Sequence, residues 1–205
     1  MNRAVFLDVD GTLTGTISGE IFKKHSADIA VLPGVKEGIE FFNAQNPPWL
    51  FIGISNQGGV GAGHKSIDAA EEEMANTLAL IPHLSAIYFC PDFEGRICHR
   101  VTASGVKIHH ICDQDYEDGW GYRKPDAGMI HLAATENSID LKNSWMIGDR
   151  KEDGECAVKA RINFMWAETW RNLFLPGMFE IKNATLEQVA FLENLPVSAL
   201  GSSKR

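Results

Sequence analysis

The chain has 205 residues, of which 44% are hydrophobic and 22% are charged; these values are ordinary for a globular protein and favour one domain over residues 1–205. Its 27 acidic residues outnumber the 19 basic ones, so the net charge of −8 repels a polyanion rather than attracting it. Since no apolar run approaches the roughly twenty residues of a membrane span and no signal-peptide pattern opens the chain, we expect a cytoplasmic protein without a membrane partner.

The first predicted strand, Ala4 to Leu7, runs directly into Asp8-Val9-Asp10-Gly11-Thr12. Strand alternation would send Asp8 and Asp10 to the same side, within reach of one small cation or one substrate atom. Two carboxylates at such a short distance repel each other unless a cation or a proton lies between them. Taken alone, the pattern fits two turn-forming aspartates as well as it fits a catalytic site.

A second apolar strand, Leu50 to Ile54, ends in Ser55-Asn56-Gln57 and a glycine-rich run that extends to Gly63. The run is not a nucleotide-binding phosphate loop, because that motif requires lysine directly after glycine and His64 intervenes. We expect the glycines to form a flexible flank that lets the loop at Ser55 approach a phosphate.

Two more polar motifs follow. The first is Arg123-Lys124-Pro125-Asp126, and the second, Gly148-Asp149 through Asp153, comes after an apolar strand at Trp145 to Ile147. Further strands are predicted at Ala86 to Phe89 and Ile162 to Trp166, and helices are predicted to begin after Pro33-Gly34, after the N-cap Ser66, at Pro125, at Glu152 and at Thr185. This alternation predicts an α/β fold with a doubly wound parallel sheet, whose site lies at the carboxyl ends of the central strands.

The order of these four motifs, from about Ala4 to about Ala167, resembles the haloacid dehalogenase (HAD) superfamily of phosphotransferases. The likeness is strongest to its capless or small-cap phosphatases, which include histidinol-phosphate, heptose-bisphosphate and polynucleotide 3′-phosphatases. The resemblance implies a HAD-like Rossmannoid fold and a Mg²⁺-dependent phosphomonoesterase that forms an aspartyl-phosphate. Its substrate would be a sugar phosphate, an amino-alcohol phosphate or the 3′-phosphorylated end of a nucleic acid.

The resemblance also implies a role for each acidic residue. Asp8 would attack phosphorus, and Asp10 would protonate the leaving group and then activate water. The side chains of Asp8 and Asp149 and the backbone carbonyl of Asp10 would hold Mg²⁺. Asp153 would support this site from one helical turn away, although an acid favoured by the helix dipole explains it equally well.

The phosphate-binding residues implied by the resemblance are Ser55 and Asn56, with the Ser55 hydroxyl and the following amides facing a phosphate oxygen. Lys124 would bring a positive charge to the phosphate and the nucleophile together. The forked guanidinium of Arg123 suits a second phosphate or a substrate carboxylate. A rival reading keeps the fold but not the catalysis, and makes the chain a binding protein whose contact surface is the loop at residues 90–121.

Residues 90–121 carry little periodicity and are expected to form an irregular insert. The zinc-loop phosphatases carry Cys-x-His early in this insert and Cys-x-Cys before Arg-Lys-Pro, where this chain has Cys90 with Asp92 and Trp120 with Tyr122. A zinc site would therefore need other ligands, and we expect unpaired thiols instead. The alternative ligands in the insert are Cys98, His99, His109, His110 and Cys112.

Overall fold

A seven-stranded sheet forms the centre of the computed structural model, which describes residues 1–175. In chain order the strands are β1 (Ala4–Leu7), β2 (Thr14–Gly15), β3 (Ala30–Val31), β4 (Leu50–Asn56), β5 (Leu84–Cys90), β6 (Ile97–Thr102), β7 (Gly105–His110), β8 (Trp145–Gly148) and β9 (Asn163–Trp166). The large sheet has the order β7-β6-β5-β4-β1-β8-β9, and β2 and β3 form a separate two-stranded sheet. The strands β5, β4, β1, β8 and β9 are parallel, whereas β6 pairs antiparallel with both of its neighbours, β5 and β7.

Helices cover both faces of this sheet. They are α1 (Val35–Asn43), α2 (Gly58–Gly61), α3 (Ile67–Leu80), α4 (Asp113–Glu117), α5 (Gly128–Asn137), α6 (Lys151–Ala160) and α7 (Ala167–Asn172), with a 3₁₀ turn at Leu141–Asn143. Within residues 1–175, none of these helices is both long enough and apolar enough to cross a membrane. The expected helix at Thr185 to Leu195 lies outside the described residues.

The two faces follow from strand alternation. Val5 and Leu7 pack with α1, α3 and α7 in one buried cluster, while Ala4 and Phe6 pack with α5 and α6 in the other. The doubly wound α/β fold predicted from the sequence is confirmed, as a mixed rather than a wholly parallel sheet. In the aromatic stretch after β8, Trp170 is fully buried in the first cluster and Trp166 is 36% exposed.

The structure differs from the expected irregular insert over residues 97–110, where β6 and β7 form a hairpin that extends the sheet. The outer strand β7 is almost entirely exposed, so it shows no alternation of apolar and polar residues that would reveal a strand. The remainder of the insert includes only the five-residue helix α4.

The helix expected to begin at Pro125 instead begins at Gly128 and extends to Asn137. The Asp126 amide donates a hydrogen bond to the Arg123 carbonyl at 2.8 Å, which closes a turn over the preceding residues. This turn directs the Lys124 side chain into the carboxyl edge of the sheet, where it contacts residues of β1 and β4.

Candidate active site

Three acidic side chains meet at the carboxyl edge of the sheet, where β1 and β8 lie side by side. Asp8 follows β1, Asp149 follows β8, and Asp153 lies in the first turn of α6. A carboxylate oxygen from each lies within 4.8 Å of the other two. The fold therefore brings together residues that are more than 140 positions apart in the chain.

Lys124 is buried between two of these carboxylates. Its ammonium group donates to Asp8 Oδ1 at 2.5 Å, to Asp153 Oδ1 at 2.6 Å and to the Ile54 carbonyl at 3.0 Å. Burial alone would lower the pKa of Lys124, but the two carboxylates raise it above its ordinary value. The lysine therefore remains charged and balances part of the acidic cluster.

The second oxygen of Asp8, Oδ2, is buried and has no hydrogen-bond partner among residues 1–175. Burial raises the pKa of Asp8 to about 7 against the opposing effect of Lys124, and partial burial together with the Asp153 charge also raises the pKa of Asp149. Burial is the main cause of both shifts, and the repulsion between neighbouring carboxylates adds to each. A divalent cation bound to oxygen ligands would relieve this repulsion, so the residues fit a metal ion.

Asp153 links the cluster to α6. Its Oδ2 accepts from the Arg150 amide at 3.0 Å, which caps the helix, while its Oδ1 accepts from Lys124. The side chain is only 1% exposed. Asp153 is therefore both a helix-capping acid and a neighbour of the acidic cluster.

The turn after β1 approaches Asp149 too closely for any side chain. Gly11 has φ +89°, and a Cβ atom there would lie 2.3 Å from Asp149 Oδ2. Arg171 of α7 fixes this turn, because its Nη1 donates to the carbonyls of Gly11 and Thr12 at 2.9 Å each.

The residues after β4 make contacts within the site. Ser55 is buried, and its hydroxyl accepts from Gln57 Nε2 at 3.0 Å. The Asn56 side chain binds the backbone of Lys124 twice, accepting from its amide and donating to its carbonyl at 2.9 Å. The structure thus places the Asn56 amide on the lysine-bearing turn.

Arg123 lies beside α2, away from the bonds that hold Lys124. Its guanidinium carbon is 5.1 Å from the centre of the Phe93 ring, and Nη1 donates to the Asp92 carbonyl at 3.4 Å. A Cβ on Gly58 would lie 3.2 Å from Arg123 Nη2. The arginine therefore sits over the glycine turn that follows Ser55.

Asp10 is held by residues that sequence reasoning missed. Lys23, from the segment between β2 and β3, forms an ion pair with its Oδ1, and Gln57 Nε2 donates to its Oδ2 at 2.9 Å. The buried Glu73 pairs with Lys23 and also with Lys65. The helical spacing in the sequence could have revealed the burial of Glu73, because this residue shares a helix face with Ala70, Met74 and Thr77, all of which are buried.

A zinc site is not supported. Among residues 1–175, the cluster of carboxylates described above is the only group with metal-binding geometry. Neighbouring residues of β6 face opposite sides of the sheet: Cys98 packs in one core cluster, while His99 stacks on Phe89 of the other. His109 pairs with Glu136, so the cysteines and histidines of the insert do not converge.

Comparisons with known proteins agree with this geometry. Residues 121–169 match the HAD-hydrolase-like family model. The D-glycero-D-manno-heptose-1,7-bisphosphate 7-phosphatase of Thermosynechococcus vestitus is 33% identical over 162 residues, which are 77% of this chain and 74% of the relative. This chain belongs to the haloacid dehalogenase superfamily. The resemblance noted in the sequence is confirmed, and with it the assignment to the hydrolases of phosphoric monoesters.

Two further HAD relatives extend the match. The D-glycero-beta-D-manno-heptose-1,7-bisphosphate 7-phosphatase of Pasteurella multocida is 30% identical over 201 residues, covering 95% of this chain and 97% of the relative. The D,D-heptose 1,7-bisphosphate phosphatase of B. bronchiseptica, solved with magnesium and phosphate, has a TM-score of 0.54 at 23% identity over 79% of this chain and 78% of its own. The solved structure shows that the HAD fold is shared.

Proposed function

We propose that this HAD hydrolase is a Mg²⁺-dependent phosphatase that removes a phosphate from a phosphorylated sugar through an aspartyl-phosphate on Asp8. The observation that carries the proposal is the position and hydrogen bonding of the Asp8 carboxylate. It lies buried at the end of β1 beside Asp149, with one oxygen bound to Lys124 and the other without a hydrogen-bond partner in the described part of the chain. A carboxylate so placed is available for attack or for binding a metal.

The chain supplies a group for each step of phosphoryl transfer. A bond forms between an Asp8 oxygen and phosphorus as the bond to the leaving oxygen breaks, and Asp10 gives that oxygen its proton. Water then attacks the phosphorus, Asp10 takes its proton, and the bond to Asp8 breaks to release phosphate. Lys124 and the Ser55 hydroxyl offer positive charge and a hydrogen bond to the phosphoryl oxygens.

The metal would be held by the side chains of Asp8 and Asp149 and by the backbone carbonyl of Asp10, and it would supply positive charge that lowers the repulsion between carboxylate and phosphate. Asp153 would act through Lys124, which it keeps charged and in place. The Asn56 side chain would hold the same lysine by its backbone.

Three observations favour a sugar bisphosphate as substrate. The relatives from Thermosynechococcus vestitus and Pasteurella multocida, which match over most of this chain, are named for a heptose bisphosphate. Arg123 places a guanidinium over the glycine turn after Ser55, where its fork suits a second phosphate. The net charge of −8 disfavours a polynucleotide.

A phosphate-release assay tests the proposal. Substrates would be a heptose bisphosphate, the matching monophosphate, histidinol phosphate and a 3′-phosphorylated oligonucleotide, each with Mg²⁺ or EDTA. We expect the bisphosphate to be preferred, and Asp8→Asn to lower its kcat/KM by on the order of 10³-fold or more. Asp113→Asn, at an exposed acid paired with Arg96, is the matched control. Equal activity of Asp8→Asn and the parent would refute the nucleophile assignment.

The role of Arg123 is tested separately with Arg123→Met. Loss of a charge-assisted contact is expected to raise KM for the bisphosphate by about tenfold while KM for the monophosphate stays within about twofold. An equal rise for both substrates would show that Arg123 does not contact a second phosphate.

A further inference from the structure

Asp10 and four other side chains form a closed ring of hydrogen bonds and ion pairs. Lys23 bridges Asp10 Oδ1 and Glu73 Oε1, with 2.8 Å to the latter. Lys65 bridges the other Glu73 oxygen and Gln57 Oε1, with 3.0 Å to the latter. Gln57 Nε2 closes the ring on Asp10 Oδ2 at 2.9 Å.

The ring is built around a buried charge. The Glu73 side chain is 1% exposed on the apolar face of α3, and the Lys23 side chain is 6% exposed. An unpaired carboxylate in such a place would strongly destabilise the folded chain. The two lysines bring two positive charges to the buried Glu73 and to Asp10. The arrangement joins the loop before β3, the turn after β4 and α3 to the single carboxylate of Asp10.

We propose that Lys23, supported by Glu73 and Lys65, is a positioning residue that fixes the Asp10 carboxylate toward the leaving-group oxygen. The inference rests on the proposed function, in which Asp10 exchanges the proton. With Lys23 on one oxygen and Gln57 on the other, rotation of the carboxylate breaks a bond in either direction. The Asp10 side chain is still 41% exposed, so one side remains open to substrate.

The loop that carries Lys23 is itself fixed near the site. Asp28 accepts from the Ser18 amide at 2.8 Å, from the Ser18 hydroxyl at 2.6 Å and from the Lys24 amide at 3.1 Å. These bonds close the segment on itself directly beside Lys23. The lysine is therefore presented by an ordered loop rather than by a freely moving one.

The test uses the dependence on the leaving group. An alkyl phosphate, such as a sugar phosphate, needs a proton on its leaving oxygen, whereas an activated aryl phosphate needs little help. We expect Lys23→Met to lower kcat/KM by about 10- to 100-fold for the alkyl ester and by less than about threefold for the aryl ester. Lys24→Met is the matched control, because the Lys24 side chain is exposed and pairs with Glu20 at the surface, so neither ester should be affected.

Two further variants separate a positioning role from a loss of folding. Glu73→Gln keeps the shape of the side chain and removes the charge that holds Lys23, so it should show the same selective loss on the alkyl ester. Lys23→Arg, which restores a cation, should recover part of the activity on that ester. Thermal unfolding of each variant reports whether the fold is intact.

The outcomes distinguish this inference from the proposed function. The positioning role is overturned if Asp10→Asn lowers kcat/KM selectively for the alkyl ester, but Lys23→Met and Glu73→Gln lower kcat/KM equally for both esters or for neither. If Asp10→Asn itself shows no selectivity in kcat/KM, the proton-transfer role of Asp10 in the proposed function is wrong.

Discussion

Replacing Lys124 by methionine removes the one cation between two buried carboxylates. The lysine side chain is 4% exposed, and its partners Asp8 and Asp153 are 10% and 1% exposed. Methionine fills a similar volume but leaves both acids without their shared donor. Breaking a buried pair in this way costs about 3–5 kcal/mol in the free energy of unfolding, because an uncompensated charge remains in the interior.

The loss should depend on pH in a definite direction. Without Lys124 the pKa of Asp8, which burial already raises to about 7, rises further above the value of about 3.9 in the unfolded chain. A carboxyl group whose pKa is raised by folding binds a proton more readily in the folded state, so stability falls as pH rises through that interval. The deficit of Lys124→Met should therefore be greatest near pH 8 and smaller by about 1–3 kcal/mol near pH 5.

Urea unfolding at pH 5 and pH 8, in EDTA to keep metal from the carboxylates, measures both effects. Lys159→Met is the control, since this exposed lysine pairs with Asp126 at the surface and should cost less than about 1 kcal/mol at either pH. A deficit for Lys124→Met below about 1 kcal/mol at pH 8, or one that does not change with pH, would refute the reasoning.

Two other substitutions probe the turn after β1. Gly11→Ala places a Cβ 2.3 Å from Asp149 Oδ2, so the Mg²⁺ concentration for half-maximal activity should rise by about tenfold or more. Gly63→Ala is the control: its φ of +74° is similar, but no atom of the described residues lies within 4 Å of the added Cβ, so the Mg²⁺ concentration should not change. The same Mg²⁺ requirement in both variants would contradict the steric argument. Arg171→Met removes two hydrogen bonds to the turn and should lower the free energy of unfolding by about 2 kcal/mol and kcat by about tenfold, measured by urea unfolding and steady-state kinetics. Unchanged kcat would show that the turn does not need this arginine.

The meeting of Asp8 and Asp149 could be predicted from the sequence because it follows from topology. Each ends an apolar strand, and the carboxyl ends of neighbouring parallel strands reach the same edge of a sheet. The position of Lys124 followed from the order of the motifs rather than from any pattern around it. Its partner Asp153 could be placed near the site, but not assigned to the lysine.

The ring around Asp10 could not be predicted in the same way. Lys23 lies in a segment without helical or strand periodicity, so nothing local shows where its side chain points. Glu73 follows Glu71 and Glu72, and such a run is typical of a solvated helix face. Only the pattern of buried neighbours on α3 distinguishes Glu73 from the other two.

The hairpin of β6 and β7 was missed for a related reason. Periodicity reveals a strand when one face is buried and the other is not, and β7 is exposed on both. Because both faces of this edge strand are exposed to solvent, polar residues are tolerated at every position and the sequence resembles that of a loop.

The central claim is that Asp8 forms a covalent bond to phosphorus, and trapping that bond tests it most directly. Asp10→Asn should slow hydrolysis of the aspartyl-phosphate, so the variant mixed with an activated aryl phosphate and Mg²⁺ and quenched in acid should carry one added phosphoryl group. Mass spectrometry of the digested protein should place this group on the peptide that contains Asp8, and Asp8→Asn should abolish it. A phosphoryl group on another residue, or full turnover by Asp8→Asn, would contradict the account.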